Sequence, residues 1–415
     1  MYGRYKKTLL SLLSSLRKFQ KNPNDDELLL ALQLRLYRQL RYVERRQAYC
    51  KSQSGRLRAS LSRDRLPKQQ ATDAKASIRN LDGDRERYKR LAVFIRSITD
   101  GIVFTLFDRY DIKPLALKEP AGAIGGKKGC KVELLFLRQL CRRGIRAILC
   151  DVTNCLRYGD ICIDDSGTPR LIEVKSSDNT NARVDRQLEQ IKLMMEYFDT
   201  DRHPTLYGHG FAVRRSRISE PQRCYANELN AMLKQVREGG SACLEVERGL
   251  VYFVDRDLST SNMGAALATL SDPRVAMLNG FKDGSWSSYF PYTLSIDDPE
   301  DCFAFLSGEV VICIAYDHAR LISLADGYGC TVTSSPSKSS RPSGAEIPPD
   351  AVLWFEPKVS TGFGACAVGW HFLSRFIFEF TSLEWIVREA CEKTLRGPHM
   401  DRIEPRTEGS PHRGV

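Results

Sequence analysis

Several features that define large protein classes are absent from this sequence of 415 residues. No segment approaches the roughly 18 consecutive apolar residues that a bilayer-spanning helix needs. The 13 cysteines form no Cys-x-x-Cys pair, and many stand between apolar residues, as Cys162 and Cys313 do. Such cysteines are typically reduced and buried rather than bound in disulfides or zinc sites. Because no secretion signal is recognisable either, we expect a soluble cytoplasmic protein without membrane contact.

Common catalytic motifs are missing as well. There is no Gly-x-Ser-x-Gly segment, which removes the usual anchor of a serine hydrolase. The glycine-rich segment 122–129 lacks the Gly-Lys-Ser/Thr ending of a P-loop, so we interpret it as a turn rather than as a nucleotide site. The six histidines show no spacing typical of metal ligands. The candidate chemistry therefore has to come from other residue types.

What the sequence has in excess is positive charge near its start. Residues 1–100 contain 24 Lys and Arg against 10 Asp and Glu, whereas the whole chain has a formal net charge of +11. A basic block of this kind commonly binds phosphate-rich partners, because neutralising phosphates releases counterions. An alternative explanation of the basic block, with equal weight, is a solvated helix face that only keeps the protein soluble.

Leucine spacing predicts a basic helical hairpin over residues 1–50. Apolar residues recur three or four positions apart on both sides of a break at 22–24. The same stripe can act as an interface, so a homo-oligomer or a defence-complex partner bound through these helices is a further hypothesis. Residues 51–84 are polar with little periodicity, which predicts a linker.

The middle of the chain, residues 85–204, predicts an α/β unit in which a sheet lies between two helices. The expected elements are a helix over 130–143, a strand over 146–152, a hairpin with strands 160–163 and 170–175 joined by a turn at 164–169, and a helix over 181–198. Residues 205–396 show scattered strand and helix signals, which predict a mixed α/β domain of unknown role. Residues 397–415 have no core-forming pattern and predict a disordered tail.

The predicted hairpin gathers charged residues at one end. Because side chains alternate along a strand, Glu173 and Lys175 share one face, and Ile172 and Val174 share the other. A tight turn brings the carboxylate of Asp160 to the same end. Two carboxylates, with the carbonyl of Val174 as a further ligand, suit Mg²⁺ or Mn²⁺. Lys175 would then orient or deprotonate the attacking water beside a scissile phosphate.

These residues carry a family resemblance. Gly159-Asp160, a turn, and Ile172-Glu173-Val174-Lys175 resemble the D…ExK signature of the PD-(D/E)XK nuclease superfamily, which includes restriction endonucleases and repair and defence nucleases. Gly159 stands where the family name has proline. The resemblance covers roughly residues 126–200. It implies a restriction-endonuclease-like core, namely a helix, a mixed sheet with the catalytic hairpin, and a second helix.

The resemblance also implies supporting residues. A glutamate of the preceding helix corresponds to Glu133, which is either an extra metal ligand or a plain surface residue. A glutamine of the following helix corresponds to Gln187 or Gln190, so Gln187 is assigned to catalysis. Asp151, at the end of the first predicted strand, either caps the next turn or approaches the metal. The candidate nucleic-acid contacts are Arg183, Arg186, Gln190, Lys127 and Lys128, and ordinary surface charges are the alternative for Arg183 and Arg186.

The sequence therefore predicts a divalent-metal-dependent nuclease, with DNA favoured over RNA by family analogy alone. Bacterial restriction, defence or DNA repair is the setting that the resemblance implies. The alternative from another class is a catalytically inactive protein that uses a nuclease-like fold to bind nucleic acid or a scaffold partner.

Overall fold

The computed structural model describes most of the chain, with gaps. The described residues are 3–63, 66–108, 112, 115, 124–125, 129–174, 182–203, 213–214, 222–256, 261–279, 292–334, 351–361 and 365–396. Three predicted site residues, Lys127, Lys128 and Lys175, lie outside these ranges, as does the predicted tail at 397–415. No helix within the described ranges has the length and apolar character needed to cross a bilayer.

Three long helices form the N-terminal part, namely α1 (Gly3–Lys21), α2 (Asp26–Arg63) and α3 (Lys68–Leu106). The predicted break at 22–24 is confirmed, and the Asp25 carboxylate accepts the N–H of Leu28 at 2.8 Å as the next helix begins. An acceptor side chain at this position satisfies a donor that the first turn leaves unpaired.

The prediction of a linker at 51–84 is wrong, because α2 and α3 continue through most of this segment as an antiparallel pair. Neither 55–63 nor 68–87 contains a fully buried side chain, so the apolar repeat that would indicate a helix is weak there. Polar contacts hold the pair together instead: the Ser54 hydroxyl donates to Asp82 at 2.8 Å.

The next elements follow the predicted order of helix, strand, hairpin and helix. They are α4 (Cys130–Arg142), β1 (Ala147–Leu149), β2 (Ile161–Asp165), β3 (Thr168–Ile172) and α5 (Ala182–Thr200). The predicted strand at 146–152 is shorter, because residues 150–152 form a single 3₁₀ turn. The α/β class is confirmed for this region.

The expected mixed sheet is not what the described residues form, since β1, β2 and β3 pair antiparallel throughout. Side chains from the flanking helices occupy both outer edges. The buried Gln33 amide of α2 donates to Ala147 O at 2.9 Å and accepts the N–H of Leu149 at 3.1 Å. On the other edge, the N–H of Leu171 points at Met195 Sδ of α5, 3.5 Å away. Because these side chains bond to main-chain groups at the outer edges of β1 and β3, a further parallel strand cannot pair there.

The hairpin is also tighter and shorter than predicted. Its turn contains two residues, Ser166 and Gly167, both with positive φ of 52° and 85°. This is the pattern of a type I′ turn, whose twist matches that of the two strands. Pro169, assigned to the turn from sequence, lies in β3 opposite Asp164. Its missing N–H faces the outer edge of β3, where no strand pairs within the described residues.

The C-terminal part is a mixed α/β arrangement, as predicted. The strands are β4 (Arg202–His203) and β5 (Val213–Arg214), which pair with each other, then β6 (Ser241–Glu247), β7 (Leu250–Asp255), β8 (Pro273–Met277), β9 (Val311–Asp317), β10 (Cys330–Thr333), β11 (Ala351–Pro357) and β12 (Cys366–Gly369). A four-stranded antiparallel sheet has the order β6-β7-β9-β8, and a three-stranded antiparallel sheet has the order β10-β11-β12. The helices are α6 (Ala226–Gln235), α7 (Ser261–Leu267), α8 (Tyr292–Ser295), α9 (Pro299–Ser307), α10 (His318–Gly327), α11 (Trp370–Leu373), α12 (Arg375–Phe378) and α13 (Leu383–Arg396).

The N-terminal helices pack against both other parts of the chain. Helix α1 lies against α9, and the Arg17 guanidinium donates to the carbonyls of Thr293 and Ile296. Gly101 of α3 allows the close approach, since a Cβ there would lie 2.6 Å from Leu16 Cδ2. One cluster of buried apolar side chains consequently runs through the predicted regions 1–50, 85–204 and 205–396.

Candidate active site

The ends of three strands meet at one edge of the first sheet. Leu149 of β1 pairs with Ile161 of β2, which pairs with Ile172 of β3. An acidic residue stands next to or near each of these strand ends in sequence. They are Asp151 after β1, Asp160 before β2 and Glu173 after β3. We call this edge the open end of the hairpin, and the Ser166–Gly167 side its turn end.

Asp160 is fixed to both neighbouring strands. Its N–H donates to Ile172 O at 2.8 Å, and its carbonyl accepts the N–H of Cys150 at 2.9 Å. Its side chain bonds as well, because Oδ2 accepts the N–H of Val174 at 2.8 Å. The predicted meeting of Asp160 with the Glu173–Val174 segment is therefore present in the structure, and both acids are half-buried.

Those same bonds explain why β3 ends at Ile172, three residues before the predicted end. The N–H of Val174 goes to the Asp160 side chain instead of to a strand carbonyl. Gly159 turns the chain out of the β2 direction with a φ of +70°. A Cβ on Gly159 would lie 2.9 Å from Ile172 O, so glycine is required at this position for both reasons.

Glu133 and Asp151 both lie near Cys130, the first residue of α4. Glu133 is buried in the first turn of that helix, with 5% of its surface exposed, so the alternative of a plain surface residue is wrong. Burial raises the pKa of the Cys130 thiol, and the charges of Glu133 and Asp151 push it the same way. Both carboxylates therefore lie within electrostatic range of this thiol.

Asp100 of α3 holds the loop that leads to Asp160, a contact that the sequence did not reveal. Its Oδ1 accepts the N–H of Asn154 at 2.7 Å and that of Cys155 at 3.2 Å, while its Oδ2 accepts the Asn154 side-chain amide at 2.7 Å. Burial raises the pKa of Asp100 to about 6, and these donors oppose the rise. Helical spacing gave no signal for this contact, because Asp100 lies two residues from both Ile98 and Ile102 and therefore opposite the apolar positions of the helix.

Arg157, in the same loop, adds positive charge near the site. Burial lowers the pKa of its guanidinium, and the Asp151 carboxylate is the strongest of the charges that oppose this effect. The main-chain N–H of Arg157 also donates to Leu115 O at 3.0 Å. The loop between β1 and β2 is therefore held by polar contacts from several directions.

Helix α5 extends from the turn end towards the open end. Arg170 contacts the Asp199 carboxylate at 2.7 Å, and Leu171 contacts Met195 one helical turn earlier. Gln187 lies two further turns towards the N terminus, a rise of about 12 Å in the direction of the open end. Gln187 is half-buried, whereas Gln190 and Arg186 are exposed on the same half of the helix. Arg183 belongs to this helix, but its side chain is outside the description.

The predicted metal site depends on which possible ligands lie close together in the described part of the chain. No group of three or more His, Cys, Asp or Glu residues suited to a metal ion occurs in the described part of the chain. Mg²⁺, however, is typically held by one or two carboxylates, with waters and substrate phosphate as the remaining ligands. Asp160 and Glu173 both bring carboxylates to this end of the hairpin, and Glu173 follows directly on the end of β3, so the donor types fit a two-carboxylate site.

Comparison of the chain with family profiles, with curated proteins and with solved structures gave no match. The resemblance to PD-(D/E)XK nucleases therefore stays a prediction that depends on the motif and its setting. What the structure supplies is the setting: a helix, three antiparallel strands and a second helix, with Asp160 bonded to the segment that contains Glu173.

Proposed function

We propose that this chain hydrolyses phosphodiester bonds of nucleic acid with the help of a divalent cation, Mg²⁺ or Mn²⁺. The observation that carries the proposal is the Asp160 carboxylate, which accepts the N–H of Val174 at 2.8 Å. This bond orients one acid next to the main chain that bears the second, Glu173. Two acids that converge from neighbouring strands are what a shared cation needs.

The chain's own residues divide the work. Asp160 and Glu173 would hold the cation, with the Val174 carbonyl and Glu133 as additional candidate ligands. A bound divalent cation supplies charge stabilisation at a phosphoryl oxygen and a more acidic water. Lys175 would orient the attacking water and offset negative charge on the phosphate. Gln187, on the half of α5 nearer the open end, would position Lys175 or the nucleic-acid backbone.

A catalytically inactive binding or scaffold protein is the second candidate. It is favoured by a separate observation, namely that the exposed basic residues of α2 do not depend on the hairpin for their position. Such a surface would retain nucleic acid whether or not the open end cuts it. The preference for DNA and the setting in restriction, defence or repair remain predictions from the resemblance.

The test is a cleavage assay with purified protein. Plasmid and single-stranded DNA are incubated with Mg²⁺, with Mn²⁺ or with EDTA, and the Lys175→Ala variant is compared with the original chain. We expect cleavage only with a cation and a loss of about 10²-fold to 10⁴-fold in Lys175→Ala, the range for a positioned acid–base group.

Lys192→Ala supplies the matched control, since Lys192 is an exposed lysine on α5. Its rate should equal that of the original chain. If EDTA leaves cleavage unchanged, or if the two alanine variants cut equally fast, the nuclease proposal fails. Binding without cleavage under every cation would instead support the inactive protein.

A further inference from the structure

The outward face of α2 alternates arginine and tyrosine. Arg38, Tyr42, Arg45, Tyr49 and Arg56 are separated by 4, 3, 4 and 7 residues, which places them on one side of a helix. All five are exposed, and the tyrosines have 40% and 50% of their surfaces in solvent. We call these five residues the Arg–Tyr stripe. It extends for about 27 Å at 1.5 Å per residue.

The charge around the Arg–Tyr stripe has one sign. Residues 28–63 contain nine Lys and Arg but a single acid, Glu44. Glu44 is buried, contacts Arg96 at 3.1 Å, and accepts the N–H groups of Ile124 and Gly125. It therefore adds little negative charge to the surface. This helix presents an extended positive surface, which complements a polyanion.

Acids of the neighbouring helix α3 are engaged in contacts of their own. Asp82 accepts a bond from Ser54 and pairs with Arg58, and Asp84 pairs with Arg87 at 3.0 Å. The arginines of the stripe do not take part in these pairs. These described acids of α3 therefore leave the charges of the stripe to an external partner.

The tyrosines restrict the kind of polyanion. The Arg46 guanidinium lies 5.2 Å from the Tyr49 ring centroid, which supports that ring from within the protein. Tyr42 is two turns away, so two partly exposed rings stand about 10 Å apart along the same face. Rings placed between phosphate-binding arginines can stack on bases, but only on bases that are not already paired and stacked in a duplex.

We propose that the Arg–Tyr stripe binds single-stranded nucleic acid, with the arginines on phosphates and the tyrosines on unpaired bases. An acidic protein would use the arginines but would leave the rings without a role, and a duplex would offer them no base faces. The inference deepens the proposed function by naming its substrate class, and it rests on that function only for the cleavage step.

The test measures binding in EDTA, so that cleavage plays no part. Fluorescence anisotropy records the affinity for a labelled 20-nucleotide oligothymidine strand, for a blunt DNA duplex of equal length, and competition by polyglutamate. The original chain should prefer the single strand by at least about tenfold. The Tyr42→Leu/Tyr49→Leu variant should lose that preference, since each stacked base contributes substantially to affinity.

Arg38→Gln/Arg45→Gln/Arg56→Gln should weaken binding to every nucleic acid. For the single strand, it should reduce the slope of log K against log salt by about 2, because each lost phosphate contact removes about 0.7. A matched triple of exposed residues elsewhere, Arg138→Gln/Arg142→Gln/Lys234→Gln, should leave affinity and slope unchanged.

Tyr42→Phe/Tyr49→Phe keeps the rings and guards against a folding defect, since the Tyr42 hydroxyl also bonds to Tyr5. This variant should retain the preference for the single strand. Equal binding of both DNA forms, an unchanged leucine variant, or competition by polyglutamate as strong as by unlabelled DNA would overturn the inference. Single-strand binding through the stripe without any cleavage would overturn the proposed function and leave this inference standing.

Discussion

The two ends of the β2–β3 hairpin hold carboxylates in different ways. At the turn end, Asp164 is buried, with 2% of its side chain exposed, and it contacts Arg146 at 3.0 Å and accepts the N–H of Gly167 at 2.7 Å. Its neighbour Asp165 contacts Arg170 at 3.2 Å. At the open end, the half-buried Asp160 accepts a main-chain N–H from Val174.

This difference separates a structural acid from a candidate ligand. An arginine partner neutralises a carboxylate and holds it through a charge-assisted bond. A main-chain N–H orients a carboxylate without itself adding a full positive charge. The same hairpin thus carries acids with arginine partners at one end and, under the proposed function, acids that would hold a cation at the other.

The largest expected effect is on cleavage, and it tests the comparison directly. Asp160→Asn should lower the cleavage rate about 10³-fold, because cation stabilisation of a phosphoryl oxygen contributes several kcal/mol. Asp165→Asn removes a carboxylate from the same strand pair, at an exposed ion pair that contributes little. Initial rates on single-stranded DNA in Mg²⁺ measure both. If Asp160→Asn and Asp165→Asn lowered the cleavage rate equally, the two ends of the hairpin would not differ in their role in cleavage.

The second expected effect is a pH dependence at the loop that leads to the open end. Burial raises the pKa of Asp100 from an ordinary 3.8 to about 6 in the folded protein. The contribution of Asp100 to stability is therefore complete below pH 3.8 and is lost as the pH rises through 6. This shift corresponds to roughly 3 kcal/mol at 1.36 kcal/mol per pH unit.

Urea unfolding of the original chain and of Asp100→Asn between pH 4 and pH 7 isolates this contribution. The stability of the original chain relative to Asp100→Asn should fall as the pH rises, because the other titrating groups are shared by both proteins. A difference that stays constant over this range would contradict the sign derived from burial.

The sequence predicted those elements whose apolar residues repeat over several turns. The break between α1 and α2 and the positions of α4, α5 and α13 follow from that repeat, because each helix buries a continuous face. Residues 51–84 were missed because, of the described residues there, Ser54 alone is buried, and the apolar side chains between α2 and α3 stay partly exposed. A repeat of apolar residues arises where one face of a helix is buried, so the repeat is weak where neither face of the helix is fully buried.

Within the candidate site, local contacts were predictable and distant ones were not. Asp160 bonds to the main chain on either side of Glu173 because both lie in one hairpin, whose two strands are necessarily adjacent. Gln33 and Asp100 instead bond to main-chain groups 114 and 54 residues away. A buried polar side chain must find partners, but nothing in its own spacing says which distant strand or loop will provide them.

A third effect, on stability, should appear at the turn end. Asp164→Ala removes the acceptor for Gly167 and the partner of Arg146, which should lower the free energy of unfolding by about 2 kcal/mol. Arg146 is 31% exposed and can rehydrate, which keeps the loss below that of a fully buried pair. Urea titration measures the loss. Cleavage per folded molecule should be unchanged, and a parallel drop in that rate would mean that the two ends are coupled.

The smallest effect should be a gain in stability at the tip of the turn end. Ser166 has a φ of 52°, a left-handed conformation that costs energy for most residues with a Cβ. Asparagine tolerates this region better, and Asn-Gly is the preferred pair in a type I′ turn. Ser166→Asn should therefore raise the free energy of unfolding by about 0.5 kcal/mol, whereas Ser166→Ala should not. Both variants should cut at the original rate, since the Asp160 contacts lie at the other end of the strands. A stability gain in the alanine variant equal to that in the asparagine variant would show that backbone preference is not the cause.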